Sequence, residues 1–449
     1  MAQSLKNKGW SVVMAATGIN LALGVLYTWS IFKGAISDSI KRGGPDAFQW
    51  DLASINDPYA VCCLAFAFSM IVGGKCQDRL GPRVTAIFGG LLVGAGFLVL
   101  SQTTNYWLWV LGFGVMAGMG FGFGYSSATP PSLKWFPPAK TGLIAGIVVS
   151  GFGLASVYIA PLSTYLLKTV GLQGAMMFFG VAFAIVVSLL ALLLRNPPAG
   201  YLFGAPAAQS QAAKTAAPAP VKTHDFTPSQ MLKTGNFYVL WIVYFIGAGA
   251  GLMVIGSVAG MAKQSMGELA FLAVVILAVG NAAGRIVAGT LSDRIGRTLT
   301  LSLMLMFQAV LMFVAIPVVG AAHPSALLLV IIATGIGFNY GTNLALFPAI
   351  TKDYWGMKNF GINYGVLFSA WGVGGFVLGR ASEMMNATTG GFALSFGVAG
   401  ILLAVAAVTL MVQDLFRQMV QAKVAEELAR RAEEAAQAAT LQPALEQAA

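Results

Sequence analysis

The sequence predicts an all-α integral membrane protein, with twelve transmembrane helices in two six-helix halves related by a pseudo-twofold axis. Three observations predict it. Of 449 residues, 57% are hydrophobic and 9% charged, far too little polar surface for a soluble domain of this size. The apolar residues fall in twelve stretches, each close to the ~20 residues that cross a bilayer as a helix. The chain also repeats itself. "GKCQDRLGPR" (74–83) and "GTLSDRIGR" (289–297) share Gly, Asp, Arg, Gly and Arg in that order, and Asp78 and Asp293 stand 215 residues apart. Tyr125 and Tyr340 show the same separation of 215. Two landmarks at one offset point to duplicated halves in the same membrane orientation.

The twelve stretches are 10–33, 58–77, 84–103, 106–129, 141–167, 174–195, 237–262, 268–291, 298–319, 325–350, 359–382 and 391–413, spans 1 to 12. Span 1 follows Lys6 and Lys8. It is too long for a signal-peptide core and lacks a small-residue cleavage site, so it reads as a retained helix. Cys62, Cys63 and Cys76 all lie on span 2 and read as small packing residues, with no disulfide framework or metal site in their spacing. "GMGFGFG" (118–124) in span 4 has dinucleotide-like glycines. No strand precedes it, so close helix packing is the expected use. Between spans 6 and 7, "APAAQSQAAKTAAPAPVKTH" (205–224) has the composition of a flexible linker. The expected organisation is a six-helix bundle over 1–198, a cytoplasmic linker over 199–236, a second bundle over 237–413 and a cytoplasmic tail over 414–449. In the tail, Glu426/Arg430 and Glu427/Arg431 stand at i,i+4 spacing, worth only ~0.3 kcal/mol per pair. A solvated helical or disordered segment is expected.

The net charge of +10 is a statement about topology rather than a nucleic-acid footprint. With the N-terminus placed in the cytoplasm, 19 of the 26 Lys and Arg fall on that side, among them Lys75, Arg79, Arg83, Lys134, Lys140, Arg294, Arg297, Lys352 and Lys358. Lys33, Lys41, Arg42, Lys168 and Lys263 fall outside. This positive-inside bias puts both termini in the cytoplasm of a cell inner membrane. No Gly-x-x-x-x-Gly-Lys-Ser/Thr loop supports a nucleotide drive, and no His-Glu-x-x-His or His/Cys cluster supports a metal. His224 lies in the linker and His323 at the outer edge of span 10. With no nucleophile–base constellation either, the sequence argues against an enzyme and calls for no cofactor.

One residue breaks the pattern. Arg285 interrupts "AVGNAAGRIVAGTL" in span 8, while all sixteen Asp and Glu lie in loops, tails or span ends. An unpaired charge at the bilayer centre costs ~3 kcal/mol or more. Snorkelling is disfavoured because Cα–Cβ bonds tilt toward the helix N-terminus, which here points away from the cytoplasm. Pairing to backbone carbonyls is the other structural account. The reading that fits best is a negative partner that arrives from outside, since a guanidinium grips a carboxylate through two parallel hydrogen bonds. The expected cargo is a small organic anion. Arg380, near the outer end of span 11, is expected to pair with Glu383.

The two Gly-x-x-x-Asp-Arg-x-Gly loops, each followed by an arginine, resemble the signature of the major facilitator superfamily, and the resemblance covers about 8–413. It implies alternating access, with Gly74, Asp78, Arg79, Arg83, Gly289, Asp293, Arg294 and Arg297 as conformational-switch residues. In that switch the Asp caps a helix end and pairs with arginines on the cytoplasmic side of the outward-open state. "LKWFPPAKTGLIAGIVVSGFGLAS" (133–156), "HDFTPSQMLKTGNFYVLW" (224–241) and "ALFPAITKDYWGMKNFGINYG" (345–365) look like the oxalate:formate antiporter and monocarboxylate transporter branch. That resemblance implies that Arg285 binds the substrate carboxylate, that Asn281 assists it one turn away, and that Tyr27, Tyr125 and Tyr340 box the site.

Two departures from the branch carry information. Oxalate carriers place a lysine on span 11 where "INYGVLFSAWGVGG" puts Trp371. One cation compensates one charge in a low-dielectric pocket, which favours a monoanion such as lactate, pyruvate or formate over oxalate, with Trp371 shaping the wall. Animal monocarboxylate transporters have an aspartate where Asn281 stands and a lysine near the end of span 1, from which Lys33 is two residues out of register. Proton symport is the expectation the family carries, and anion exchange is the alternative. A functional monomer is expected. A non-transporting anion sensor, with the tail as its output, is the reading of another class.

Overall fold

A computed structural model of the chain describes residues 8–45, 47–51, 54–198, 201, 225–267, 270–321 and 325–446. Over 256–264 and most of the chain beyond Phe416 that description is of the backbone. Among the described residues, 12 helices are long and apolar enough to cross a membrane. Spans 1 to 6 are Gly9–Arg42, Asp57–Leu80, Pro82–Leu100, Tyr106–Lys134, Pro138–Thr169 and Gly171–Ala191. Spans 7 to 12 are Gly235–Ile255, Phe271–Ile295, Arg297–Val319, Ala326–Trp355, Phe360–Asn386 and Ala393–Phe416. Helices are the only open-ended elements that satisfy every backbone polar group within the segment, as an apolar solvent demands.

Breaks in the helices follow local sequence. Gly81 (φ 87°) and Gly296 (φ 95°) end spans 2 and 8 in a backbone region that residues with a Cβ avoid, and Pro82 at the next position starts span 3. These are the second glycines of the two repeated loops. Span 1 is not one continuous α-helix. It tightens to a 3-10 turn over Gly24–Thr28, and this turn carries Tyr27. Span 4 widens to a π-helical segment over Val110–Ala117 before resuming as α-helix. The C-terminal helix is continuous from Ala393 to Glu446, so the segment after span 12 begins as a helical extension of it.

Packing repeats between the halves. Within them span 3 packs on span 6 and span 9 on span 12, while span 2 packs on span 11 and span 5 on span 8 across the divide. The two cross-pairs are equivalent under the repeat, so the halves meet along two symmetry-related seams. Small residues let backbones approach there: a Cβ on Gly74 would overlap the backbone of Gly361, and one on Gly289 that of Gly142.

The face carrying the repeated loops is closed. Asp78 accepts the backbone N–H groups of Gly361 (3.3 Å) and Ile362 (3.1 Å) at the start of span 11. Asp293 accepts those of Gly142 and Leu143, both at 2.9 Å, at the start of span 5. Each carboxylate thus caps a helix N-terminus of the other half, where orphan N–H groups and the helix dipole favour negative charge. Lys352 Nζ donates to Thr141 Oγ1 at 2.6 Å, a further tie between halves. Asp225, where the linker rejoins the described chain, accepts the N–H groups of Met357 and Lys358, so the linker end is moored beside the start of span 11. Residues 202–224, most of the expected linker, lie outside the described residues, as do His224 and His323. On the opposite face a cavity of about 220 Å³ opens between the halves, lined among others by Tyr27, Lys33, Asp57, Tyr59, Met253 and Arg380.

Candidate functional site

Arg285 is fully buried, at 0% exposure, and sits where span 8 crosses span 5. Glycine makes the space: a Cβ on Gly153 would stand 3.2 Å from both Arg285 Nε and Asn281 Oδ1. The guanidinium uses three nitrogens on three helices. Nε donates to Asn281 Oδ1 at 2.8 Å, Nη1 to the carbonyl of Val149 on span 5, and Nη2 to the Tyr27 hydroxyl on span 1 at 3.5 Å. Every partner is neutral, and no carboxylate pairs with Arg285 among the described residues. Backbone-carbonyl pairing, weighed in the sequence as a structural account of this arginine, therefore occurs at Val149. It leaves the charge uncompensated.

From Tyr27 a string of hydrogen bonds crosses to the second half. The hydroxyls of Tyr27 and Tyr340 are 2.6 Å apart, and Trp371 Nε1 donates to the Tyr340 oxygen at 2.9 Å. The string ends in a donor at each end, since neither guanidinium nor indole N–H accepts. Its two hydroxyls share one hydrogen bond between them, so one hydroxyl hydrogen is left over whichever tyrosine donates. Arg285 adds more: the three bonds engage one N–H on each nitrogen, and each terminal nitrogen carries a second. The site holds more donors than acceptors, and its net charge is positive. Surplus donors beside a positive charge are an arrangement that can accept an anion.

Aromatic rings wall it. Tyr27 meets Phe152 edge-on at 5.2 Å; Phe152 meets Tyr125 at 5.5 Å and Phe66 at 5.7 Å; Phe66 meets Trp371 at 5.2 Å. Phe368 stacks on Trp371 at 5.0 Å. The structure thus brings together Arg285, Asn281, Tyr27, Tyr340 and Trp371, with Tyr125 joining through its ring. Its hydroxyl has no partner among the described residues. Trp371 does more than shape a wall, because it fixes Tyr340. Phe66, Phe152 and Phe368 were not singled out in the sequence. Among 29 phenylalanines in mostly apolar spans, nothing distinguishes these three.

The loop residues divide. Arg297 pairs with Asp293 at 2.5 Å and Asp353 at 2.9 Å. Asp78, by contrast, has no arginine ion pair among the described residues. Arg83 instead donates to the Leu192 carbonyl at 2.8 Å, because it leaves on span 3, which packs on span 6. Arg79 and Arg294 are exposed. The expected Asp–arginine pairing is therefore present in the second half and absent from the first. Of the other charges, Lys33 and Arg380 line the outer cavity. Asp57, at the start of span 2, accepts the Tyr106 hydroxyl at 2.8 Å. The side chain of Glu383 lies outside the described ones.

Two sequence-repeated carboxylate caps and two equivalent seams join the halves around a buried cation. The family model described as Major Facilitator Superfamily matches residues 10–379 and 272–445. The chain belongs to the major facilitator superfamily. Within the superfamily it is similar to the oxalate:formate antiporter of Oxalobacter formigenes, at 28% identity over 377 residues, 82% of each chain. It is also similar to human monocarboxylate transporter 11, at 25% identity over 416 residues, 88% of this chain and 80% of that one. A crystal structure of a double-tryptophan XylE mutant superposes with a TM-score of 0.69 at 14% identity, covering 90% of this chain and 95% of the other. Superfamily membership makes the protein a transporter-family protein and not an enzyme.

Proposed function

We propose that the protein carries small organic monocarboxylates such as lactate, pyruvate or formate across a cell inner membrane by alternating access. The halves 1–198 and 237–413, joined by 199–236, rock about a central site as a functional monomer. One observation carries this reading: Arg285 is fully buried between the halves with only neutral partners. A carboxylate on its two remaining terminal N–H groups would supply the missing charge through a bidentate pair. Asn281 and Tyr27 hold the guanidinium in place, Tyr340 offers the surplus hydroxyl, and Tyr125 and Trp371 wall the carbon end.

The closed loop-bearing face is taken as cytoplasmic, with both termini on that side. Asp78 and Asp293 then latch the outward-facing state. Rocking inward must pull each carboxylate off the helix start it caps, together with Gly74 and Gly289 at the seams and Arg297 at the second latch, while Arg79, Arg83 and Arg294 flank them. Binding energy in the occupied site offsets the loss of these contacts. Proton symport is the coupling proposed, the proton travelling with the substrate because no built-in carboxylate adjoins Arg285 among the described residues.

A second reading, oxalate:formate-type anion exchange, is favoured by the similarity to the antiporter. Against it stands Trp371, a neutral donor where a dianion needs a second cation. Uptake of labelled lactate into proteoliposomes, with and without an inward proton gradient and with oxalate as competitor, separates the two. Gradient-driven accumulation indifferent to oxalate supports the first, while oxalate exchange for internal formate without lactate uptake overturns it.

A further inference from the structure

Three hydroxyls beside the Arg285 site have no use in it. Tyr125, Tyr244 and Tyr364 are 2%, 0% and 2% exposed, and none of their hydroxyls has a hydrogen-bond partner among the described residues. Buried polar groups are almost always satisfied, so three together call for an explanation. They are one cluster. All three rings surround Phe368, at 5.6 Å for Tyr125, 6.0 Å for Tyr244 and 5.7 Å for Tyr364. The Tyr364 hydroxyl faces those of Tyr125 and Tyr244 without meeting either in hydrogen-bond geometry. The rings themselves are held: Tyr244 stacks on Phe347 at 3.8 Å and Tyr364 on Phe360 at 5.8 Å.

The cluster runs from about the depth of Arg285, ten residues before the end of span 8, toward the closed face, with Tyr364 at its near end. Span 11 starts at Phe360 on that face. At 1.5 Å rise per residue Tyr364 stands ~6 Å into it, and Trp371 ~10 Å further toward the opposite face. Tyr244, nine residues into the helix that starts at Gly235, is ~13 Å from the same side. Phe368 is the shared wall, since it stacks on Trp371 on one side and touches the three tyrosines on the other.

We propose that Tyr125, Tyr364 and Tyr244 form a second station for the cargo carboxylate, entered as it leaves Arg285 when the loop-bearing face opens. The inference rests on Arg285 being the carboxylate anchor. Three phenolic O–H donors converge from spans 4, 11 and 7, and they belong to both halves. They can hold the oxygens of one carboxylate with no fixed charge behind them. That suits a release step, because conduction requires sites favourable enough to enter and weak enough to leave. With the loop-bearing face closed the three hydroxyls face one another without hydrogen-bond geometry, and the cargo carboxylate supplies the acceptor that they lack.

The test is removal of one hydroxyl at a time, Tyr364→Phe and Tyr244→Phe, in the full-length protein. Binding of lactate, pyruvate and oxalate is read by thermal shift, and transport of each, labelled, is read in proteoliposomes. The expected result is turnover reduced tenfold or more, affinity within twofold of wild type, and a melting temperature equal or higher, since each change deletes an unsatisfied buried group. Wild-type turnover in both variants overturns the station. So does an affinity loss that parallels the turnover loss, which would put these hydroxyls in the Arg285 site. A lowered melting temperature would show that they serve the fold and also overturns it. If the wild-type protein carries none of the three anions, the proposed cargo class fails, and the station with it. Loss of binding in Arg285→Met beside intact turnover in both tyrosine variants would fail the station alone.

Discussion

Replacing Arg285 with methionine should abolish substrate binding while leaving the fold's stability almost unchanged. The volume is roughly kept, so no large cavity opens. What is lost structurally is three hydrogen bonds, to Asn281, Val149 and Tyr27. Polar contacts within membrane bundles average ~0.6 kcal/mol, so their removal costs about 2 kcal/mol. What is relieved is the ~3 kcal/mol of placing an arginine at a helix centre in the bilayer. The two nearly cancel.

Binding has no such compensation. Two charge-assisted hydrogen bonds to a carboxylate are worth ~1.5–3 kcal/mol each, so losing both weakens affinity by at least two orders of magnitude at 1.4 kcal/mol per tenfold. A ligand at 100 times its wild-type Kd stabilises the wild-type protein by ~2.7 kcal/mol. With Kd raised a hundredfold, the same concentration stabilises the variant by only ~0.4 kcal/mol. Thermal unfolding with and without ligand therefore reads both halves of the claim in one experiment. Arg285→Lys keeps the charge but offers one nitrogen instead of a planar fork, and should lie between, about tenfold weaker than wild type. A methionine variant that still binds, or one that unfolds tens of degrees lower, would refute the assignment of this arginine to the cargo.

Trp371→Lys should move competition toward oxalate by tenfold or more, since a second cation ~5 Å from the added carboxylate is worth about 3 kcal/mol at an effective dielectric of 20. Unchanged competition by oxalate would remove charge compensation as the basis of selectivity. Asp293→Asn should open the loop-bearing face more than Asp78→Asn, because Asp293 loses an ion pair with Arg297 as well as its cap. Maleimide labelling of Ala145→Cys, a fully buried position on span 5, should speed up in that order, and equal rates would count against the asymmetry. Gly153→Ala should weaken binding with little effect on expression, since its Cβ would press on Arg285 Nε and Asn281 Oδ1; the check is a binding isotherm on purified protein. Removing residues 417–449 should leave transport within twofold of wild type, whereas a sensor working through that helix would lose its response.

Much of this protein was legible before any coordinates. Membrane solvent is an unforgiving reader of sequence: twelve apolar stretches of spanning length can be little else, and Arg285, set well inside span 8 rather than at a span end, announces itself because its cost is large. Duplication did the rest, since a 215-residue offset linking Asp78 to Asp293 and Tyr125 to Tyr340 declares two equivalent halves. Arg285 stood out from the charge census and Asn281, Tyr27, Tyr340 and Trp371 from the family resemblance, and the five lie together.

What tertiary structure alone decided concerns partners far apart in the chain. No spacing rule says that Asp78 caps the start of span 11, 283 residues on, or that Tyr27 meets Tyr340 across 313 residues. Nor could it say that Arg83 would leave Asp78 for a carbonyl on the far side of its own half. Phe66, Phe152 and Phe368 are indistinguishable in sequence from phenylalanines that face lipid, because a bilayer rewards both alike. The hydroxyls of Tyr125, Tyr244 and Tyr364 become notable only once packing has denied them partners. Composition and periodicity record the cost of each residue in its solvent, and that is a local quantity. Which polar groups meet, and which are left waiting, depends on how two six-helix bodies close on one another.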